Sequence, residues 1–309
     1  MQSTRIKQVD AFTRSPFTGN PAGVVLDGSA LNRSEMQKIA NEMNLSETAY
    51  VVKPESDKCD LRLRWFTPTQ EVELCGHATI AAFHTMAEEG RYGLQVDEPQ
   101  SFLIETKSGE LTVDVEWKDL TPFVKFNLPI PKFFPFPDDL GVLCGALGLS
   151  EIELSQKVKP QITAQGYCFV PLKNYDSLKT LEPNFALLRK LNDRHDLCGF
   201  AVVTTDSGDR EHDWHMRFFA PSMGVDEDPV TGSANGPMAV FLYENGFLDP
   251  YQSYFTLRGA QGRFLNRPGL VYVNMSVANN EVTELQIGGH AVTVMEGSIY
   301  TRKNIPEKF

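Results

Sequence analysis

An internal repeat constrains the fold of this 309-residue chain more than any other feature of its sequence. Residues 64–68 read Arg-Trp-Phe-Thr-Pro and residues 217–221 read Arg-Phe-Phe-Ala-Pro, an offset of 153 positions (from 64 to 217). Each copy leads through an acidic loop to a glycine turn, Cys-Gly-His-Ala at 75–78 and Thr-Gly-Ser-Ala at 231–234, and then to a stretch of small residues. The same order of elements in both halves indicates a duplicated domain.

The pattern of apolar residues predicts many strands with a few helices between them, which is typical of an α+β fold. The clearest predicted strands are 6–12, 48–52, 61–66, 102–106, 111–115, 199–205 and 214–219, with a strand-rich tail from 253 to 300. The predicted helices are 34–43, 78–87, 140–147, 185–191 and 234–245. Ser34 is the expected cap of the first helix, with Gln37 at the capping-box position.

A change in composition marks the expected domain boundary. Four prolines and three phenylalanines fall between positions 129 and 137, a density that is typical of a connection rather than of a helix or strand. We therefore predict an N-terminal domain at 1–128 and a C-terminal domain at 129–309. We also allow for the final strand, near 295–309, to pack back onto the first domain.

Charge and composition exclude several classes of protein. The net charge is −11, from 29 basic and 40 acidic residues, whereas a nucleic-acid-binding protein needs a dense cationic surface. No segment approaches the roughly 18 apolar residues of a membrane span. The N-terminal residues lack the apolar core of a signal peptide, and the five cysteines include no C-x-x-C pair. We expect a reduced, cytoplasmic protein with neither a nucleic-acid nor a membrane partner.

The two glycine turns predict two anion-binding helix ends. The first turn of a helix leaves backbone N–H groups without intrahelical partners, and the helix dipole is positive there. Glycine lets a ligand approach that backbone closely. If both turns line a cleft between the domains, they would hold the carboxylate of a small substrate. The predicted substrate-binding residues are Gly76, Gly232 and Ser233, together with Asn20 of the glycine-rich first loop.

Three acid–base groups lie near these turns or at the end of a predicted element. His77 is on the first turn, Asp228 precedes the second, and Glu47 lies between a predicted helix and a predicted strand. We predict these three as catalytic, because a carboxylate in a cleft can have its pKa raised and act first as base and then as acid. Each has a purely structural alternative: a solvated cap for Glu47, a helix-end hydrogen-bonding group for His77 and a turn residue for Asp228.

Other chemistries have weaker support. Cys75, at a helix N-terminus, could be activated as a thiolate, although a small buried residue is the simpler interpretation. The residues Glu211, His212, Asp213 and His215 precede a predicted strand, and there is no H-E-x-x-H motif. Neither G-x-G-x-x-G nor a Walker motif occurs. We therefore predict no metal and no cofactor.

Five segments are specific enough to suggest a family. They read VDAFTRSPFTGNPAGVV (9–25), NEMNLSETAYV (41–51), LRWFTP (63–68), CGHATIAA (75–82) and FFAPSMGVDEDPVTGSANGPMAV (218–240). Through them the chain resembles the PhzF-like isomerases of phenazine biosynthesis, which share the diaminopimelate-epimerase fold. The resemblance implies two pseudo-symmetric domains, each a curved, mostly antiparallel sheet around a central helix, with the active site in the cleft between them.

The resemblance also implies a mechanism without cofactor or metal, and commonly a homodimer. In the phenazine enzyme a glutamate of the NLSET motif, Glu47 here, moves a proton between carbons of a dihydro-hydroxyanthranilate. The equivalents of His77, Asp228 and Ser233 bind and orient the substrate.

One departure from the wider fold family matters for the reaction. Its epimerases use two cysteines, one before each helix, whereas this chain has Cys75 and Thr231. A neutral hydroxyl is a poor proton shuttle at pH 7, which disfavours racemisation by two thiols. We therefore predict a PhzF-like isomerase that transfers a proton on a small carboxylate-bearing substrate. The alternatives are a catalytically silent binding protein on the same fold and an amino-acid epimerase that uses Cys75.

Overall fold

The computed structural model describes residues 2–96, 98–206 and 211–301. The strands are β1 (Gln2–Ala11), β2 (Asn20–Val25), β3 (Glu47–Val52), β4 (Leu61–Phe66), β5 (Glu71–Val72), β6 (Gln100–Thr106), β7 (Gly109–Lys118), β8 (Thr121–Asn127), β9 (Phe133–Pro135), β10 (Gln161–Thr163), β11 (Tyr167–Pro171), β12 (Gly199–Thr204), β13 (Trp214–Ala220), β14 (Val225–Asp228), β15 (Tyr254–Gln261), β16 (Gly269–Ala278), β17 (Glu281–Gly289) and β18 (Ala291–Thr301). The α-helices are α1 (Arg33–Met43), α2 (Gly76–Glu88), α3 (Leu140–Leu147), α4 (Tyr175–Lys179), α5 (Phe185–His195) and α6 (Gly232–Glu244).

The chain divides into two compact units. The first holds the described residues up to Phe126 and again from Gly288 onward, and the second is Asn127–Ile287. The second unit therefore ends earlier than the predicted domain 129–309. The reason is that β18 pairs antiparallel with β1 along its whole length, which returns the last described strand to the first unit. Residues 302–309 of the predicted final strand lie outside the described residues.

The first unit is a mostly antiparallel sheet with two parallel pairs. β1 is antiparallel to β18 and β2, β3 is antiparallel to β4, β4 to β5, and β6 to β7. β2 is parallel to β3, and β4 is parallel to β6. Parallel neighbours need a crossover connection, and the helices α1 and α2 lie in those two connections.

The second unit repeats this order strand for strand. β10 is antiparallel to β9 and β11, β12 to β13, β13 to β14, and β15 to β16. β11 is parallel to β12 and β13 is parallel to β15, with α4 and α5 in the first crossover and α6 in the second. The identical pairing order supports the duplication that the sequence repeat indicates, and the α+β fold class is confirmed.

Each unit buries one helix almost completely. In α2 every residue from His77 to Ala87 is buried, and the helix packs against β1, β2, β3 and β18. In α6 the buried residues include the whole run Ala234–Leu242, and Phe241 stacks on Phe169 of β11. A helix without a solvent-facing stripe lies in a core. The small residues noted in these two stretches of the sequence allow the strands to approach each helix from several sides.

Amphipathic helices cover other parts of the sheets. In α1, Met36 and Ile39 pack in a cluster with Tyr50 and Phe66. This helix begins at Arg33, and its cap is Asn32, whose side chain accepts a hydrogen bond from the Glu35 N–H while the Glu35 carboxylate accepts one from the Asn32 N–H. The capping box thus starts two residues before the predicted Ser34, so that detail of the prediction is wrong. None of the helices in the described residues combines the length and apolar character needed to cross a lipid bilayer.

Candidate active site

Glu47 and His77 lie together in the first unit. Glu47 is the first residue of β3 and His77 is in the first turn of α2. The distance from Glu47 Oε2 to His77 Nε2 is 3.3 Å, and the side chains are 19% and 8% exposed, respectively. Ser46 Oγ lies 3.4 Å from the same nitrogen. The strand end and the helix end thus bring a carboxylate and an imidazole into contact although they are thirty residues apart in the sequence.

The β2–β3 pairing places Asn20 beside this pair. Ala22 lies opposite Glu47 in the parallel register, and Asn20, two residues earlier, therefore points to the same face of the sheet. Asn20 is fully buried. The turn before it requires Gly19, which has φ +64° and where a Cβ would lie 2.1 Å from the Ala11 carbonyl oxygen. The glycine-rich first loop thus directs Asn20 into the sheet.

Burial keeps His77 neutral. It lowers the pKa of His77 from 6.5 to about 4, so one ring nitrogen carries a proton at pH 7 and the other accepts. A carboxylate can only accept a hydrogen bond. With Glu47 ionised, Nε2–H therefore donates towards Glu47, and Nδ1 accepts from the Cys75 thiol, whose Sγ lies 3.5 Å away. When Glu47 is protonated, both hydrogen bonds can reverse direction, so the three groups form a path for one proton.

The N-terminus of α2 offers donors beside these groups. Cys75 is the N-cap residue, and within the described chain its side chain accepts no capping hydrogen bond from the helix. Its carbonyl oxygen accepts from both the backbone N–H and the hydroxyl of Thr79. The cap therefore leaves the N–H groups of Gly76 and His77 to water or a ligand, at the positive end of the helix dipole.

In the second unit a hydrogen-bonded network surrounds the start of α6. The Thr231 hydroxyl donates to Asp228 Oδ2 at 2.5 Å instead of capping its helix. Gln261 Nε2 donates to the Asp228 carbonyl oxygen at 2.8 Å and to Thr231 Oγ1 at 3.1 Å. Because Thr231 accepts from Gln261, its proton is directed to Asp228. The network thus holds Asp228 as a hydrogen-bond acceptor in one orientation.

The other end of the Gln261 amide extends the network into the core. Its Oε1 accepts from the backbone N–H of Thr231 at 3.0 Å and from Asn235 Nδ2 at 2.8 Å. Asn235 Oδ1 accepts in turn from the indole N–H of Trp214 at 2.8 Å. Gly259 makes room for this contact, since a Cβ there would lie 2.2 Å from Asn235 Oδ1.

Ser233, in the first turn of α6, has a tyrosine partner. The Tyr167 hydroxyl lies 2.9 Å from Ser233 Oγ, and either oxygen can donate. Tyr167 is the first residue of β11, and its ring meets Phe218 edge-on at 5.6 Å. Two hydroxyl groups therefore stand at the start of α6, where the start of α2 has an imidazole and a carboxylate.

The equivalent strand registers of the two units show which residues differ between the two copies. Phe66 lies opposite Thr48, and its repeat counterpart Phe219 lies opposite Phe200, so the position of Glu47 is taken by Gly199. Trp65 lies opposite Val72, and its counterpart Phe218 lies opposite Asp228. The helix starts align at their glycines. The exchanged pairs, first unit first, are Glu47 and Gly199, Val72 and Asp228, Cys75 and Thr231, and His77 and Ser233.

The repeated arginine, by contrast, has the same role twice. Arg64 makes a two-pronged ion pair with Glu71, at 2.7 and 2.9 Å. Arg217 makes the same pair with Glu227, at 2.9 and 2.8 Å. Each pair ties a long strand to the short strand before the glycine turn. The arginine of the sequence repeat is thus explained by structure rather than by catalysis.

The predicted site residues therefore fall into two groups. The first unit brings together Glu47 and His77 and places Asn20 on the face of Glu47, with Gly76 at the helix start. The second unit holds Asp228, Gly232 and Ser233 around its own helix start. Their roles stay predictions. Sequence reasoning missed Ser46, Tyr167 and Gln261. Ser46 lies directly before Glu47 in the sequence, whereas Tyr167 becomes visible only in the strand register, where it lies opposite the counterpart of Glu47, and Gln261 has no local signal.

Comparison with known proteins assigns this chain to a family. The model of the family described as phenazine biosynthesis-like protein matches residues 9–297. The chain belongs to this family. The resemblance drawn from the sequence motifs is therefore confirmed.

Several relatives are named as isomerases. The chain is 35% identical, over 94% of its length and 96% of the relative's, to an uncharacterised isomerase of Clostridium acetobutylicum. It is 31% identical, over 94% and 97%, to the trans-2,3-dihydro-3-hydroxyanthranilate isomerase of Pseudomonas chlororaphis. The crystal structure of a PhzF-family phenazine biosynthesis protein of Bacillus anthracis superimposes with a TM-score of 0.89 at 30% identity, over 97% of this chain and 100% of that one. The prediction of an isomerase-family enzyme is confirmed.

Proposed function

We propose that this protein is an isomerase that moves one proton between two carbons of a small carboxylate-bearing substrate, with Glu47 as base and then as acid. The observation that carries the proposal is the 3.3 Å contact between Glu47 and the neutral His77 at the N-terminus of α2. A general base must lie next to groups that hold it in place and stabilise the charge that it creates. Glu47 meets both conditions.

The proposed reaction has two proton transfers and no net oxidation. Glu47 removes a proton from one carbon, and the electron pair of the broken C–H bond delocalises into the conjugated system of the substrate. The N–H groups of Gly76 and His77 stabilise the negative charge at the substrate carboxylate or enolate. The protonated Glu47 then delivers its proton to a different carbon, while His77 keeps the carboxyl group in position.

The second unit supplies the proposed substrate-binding groups. Asp228 is held as an acceptor by Thr231, which suits a hydroxyl or an ammonium group of the substrate. The paired hydroxyls of Tyr167 and Ser233 can donate, and Gly232 begins the second helix end. Trans-2,3-dihydro-3-hydroxyanthranilate, named for the Pseudomonas chlororaphis relative, carries a carboxylate, an amine and a hydroxyl group and is the first compound to test.

Proton exchange in deuterated water, followed by NMR, tests this proposal. The wild-type protein is incubated with trans-2,3-dihydro-3-hydroxyanthranilate, proline, hydroxyproline and diaminopimelate, and deuterium incorporation is followed at each carbon. We expect incorporation at the receiving carbon of one substrate and a loss of about 10³-fold in Glu47→Gln, within the usual range for a general base. Glu42→Gln, which changes an exposed helix residue, is the matched control. A folded Glu47→Gln protein with wild-type exchange contradicts the proposal.

Thiol-based epimerisation is the second candidate, because Cys75 Sγ lies 3.5 Å from His77 Nδ1. Cys75→Ser separates the two mechanisms. Carboxylate chemistry predicts that this variant still incorporates deuterium while Glu47→Gln does not, whereas thiol chemistry predicts the reverse. Binding without exchange across the whole panel would favour the silent binding protein.

The homodimer and the cytoplasmic location stay predictions, and light scattering tests the first of them.

A further inference from the structure

Three side chains at the start of α2 have the spacing of metal ligands. In the described part of the chain, ligand atoms of Glu47, Cys75 and His77 all lie within 4.8 Å of one another. The distance from His77 Nε2 to Glu47 Oε2 is 3.3 Å, and that to Cys75 Sγ is 4.0 Å. In a tetrahedral zinc site with the usual bond lengths, the N–O edge is about 3.3 Å and the N–S edge about 3.5 Å. The edge from His77 to Glu47 already fits, and the edge from His77 to Cys75 needs a closure of about 0.5 Å. The third edge, from Glu47 to Cys75, is no longer than 4.8 Å.

The donor set suits a borderline or soft cation. Carboxylate oxygen, thiolate sulfur and imidazole nitrogen are the three kinds of side-chain ligand that zinc takes in proteins, and thiolate disfavours magnesium and calcium. A neutral imidazole offers one lone pair to a metal, and binding through Nε2 places the ring proton of His77 on Nδ1. Three protein ligands leave a fourth position for water.

The local charge can balance a divalent cation. The positive end of α2 opposes a cation and favours the Cys75 thiolate. Glu47 and the thiolate then offset the two positive charges of the metal, as Cys75 gives up its proton to solvent on binding. The equivalent residues of the second unit, Gly199, Thr231 and Ser233, offer no soft ligand, so the feature belongs to one helix start alone.

We propose that Glu47, Cys75 and His77 form a site for a single thiophilic divalent cation, for which zinc is the first candidate. The bound cation prevents catalysis because it occupies the carboxylate of Glu47. The inhibitory part rests on the proposed function, since it takes Glu47 as the proton-transferring group. The cation is a reversible inhibitor here and takes no part in the isomerisation. A chelator would therefore restore activity.

Direct binding tests the site without any substrate. Full-length protein, reduced and freed of metal, is titrated with zinc against a chromophoric chelator and, separately, with cobalt. We expect one zinc per chain and, with cobalt, a thiolate charge-transfer band in the near ultraviolet. Cys75→Ser should abolish that band and weaken zinc binding about 100-fold or more, because even the loss of a residue that only orients a ligand weakens binding 10–100-fold.

Two further variants keep the outcome interpretable. Glu47→Gln, at a partly exposed strand end, should weaken zinc binding about 10-fold and leave the charge-transfer band in place. Cys198→Ser changes a partly exposed thiol of the second unit and should leave stoichiometry and affinity unchanged. Zinc binding that is unaffected by both Cys75→Ser and Glu47→Gln, or no binding at all, overturns the site.

The inhibitory part has its own readout. With an identified substrate, zinc should abolish deuterium incorporation in the wild type at one equivalent, and chelator should restore it. If deuterium incorporation continues with zinc bound, zinc does not inhibit the enzyme and this part of the proposal is wrong. The binding titration still tests whether the metal site exists. If no substrate of the panel incorporates deuterium, the proposed function is contradicted, but the zinc titration still tests the metal site. The two failures are therefore distinguishable.

Discussion

The starts of α2 and α6 are built on the same duplicated frame, yet their chemistry differs. At α2, three groups that can gain or lose a proton meet within hydrogen-bonding range: Glu47, Cys75 and His77. At α6, a network of amides and hydroxyls around Gln261 has its donors and acceptors already matched. The first arrangement can move a proton. The second arrangement holds Asp228 as an acceptor, and a separate contact joins Ser233 to Tyr167.

The difference shows how the two copies of a duplicated scaffold acquire different chemistry. The Arg–Glu pairs, the strand order and the two buried helices are common to both units. The exchanges fall at the strand and helix ends, where a side chain can change without altering the sheet. In the second unit, Gly199 lies at the position of Glu47, and its neighbour Tyr167 reaches the helix start instead. One unit therefore supplies the proposed proton transfer, and the other supplies proposed binding groups.

The largest expected effect concerns the repeated arginine. Arg217 and Glu227 are each only 10% exposed, and Arg217 also donates to the carbonyl oxygens of Leu178 and Leu181. Arg217→Met leaves an uncompensated buried carboxylate and should lower the free energy of unfolding by about 3–5 kcal/mol. Scanning calorimetry checks this value.

The same change in the first unit should cost less. Arg64→Met leaves Glu71 paired with Arg33, so we expect a loss of about 1–2 kcal/mol. The double variant Arg217→Met with Glu227→Leu should recover much of the stability, since no buried charge remains. Equal losses for the two single variants would contradict this distinction between the units.

The second prediction concerns a substitution that disrupts the hydrogen-bonded network around Gln261 in the second unit. Gln261→Leu removes four hydrogen bonds and leaves the Thr231 N–H without its acceptor in a partly buried setting. We expect a loss of about 2–4 kcal/mol in the free energy of unfolding, from one or two unsatisfied groups. Gln252→Leu, at an exposed position, is the control and should change stability by less than about 0.5 kcal/mol. A loss as small as that of the control would mean that the network does not hold the start of α6.

The third prediction uses pH, because the buried histidines of the central helices are on α2 alone. Burial lowers the pKa of His77 and that of His84 to about 4, against 6.5 when exposed. Between these pH values the unfolded chain binds more protons than the folded one, so stability falls as the pH drops below 6.5 and the loss is complete near pH 4. At pH 5 the loss is about 2 kcal/mol for His77.

Hydrogen exchange, corrected for the intrinsic effect of pH, can locate this loss. Amides of α2 should lose protection between pH 7 and pH 5 more than amides of α6, whose sequence contains no histidine. His84→Gln should reduce the pH dependence in α2. An equal loss of protection in both helices would argue against buried neutral histidines as its cause.

The smallest expected effect concerns Gly199, the counterpart of Glu47 in the second unit. A Cβ at Gly199 would lie 2.5 Å from the Phe218 ring, so Gly199→Ala should cost about 1–2 kcal/mol through overpacking. Gly145, in α3, has no atom of the described residues within 4 Å of such a Cβ. Gly145→Ala should therefore raise stability by up to about 1 kcal/mol. Urea unfolding of both variants tests the sign, and a stabilising Gly199→Ala would show that the position is open to a larger side chain.

Much of the fold could be predicted because its signals are local. The periodicity of apolar residues predicted α2, α5 and α6 to within a few residues of their observed bounds, and β4 at its observed bounds. This periodicity can be read from the sequence because the side chains that share one face of a helix or strand are only two to four residues apart. The cap of α1 was misplaced because Asn32 and Ser34 are both good caps. The second domain was predicted to extend to residue 309, with the return of the final strand to the first domain only allowed for, because β18 pairs with a strand almost 300 residues away.

What the sequence alone determined was the duplication, the α+β class and the family, along with Glu47 and His77 as candidates. Repetition, composition and short motifs are properties of neighbouring residues and need no folded chain. Only the tertiary structure decided that Glu47 contacts His77, that Gly199 is the counterpart of Glu47 in the second unit, and that Gln261 orders the start of α6. These relations depend on strand register and on contacts between distant segments, which the packing of the whole unit sets.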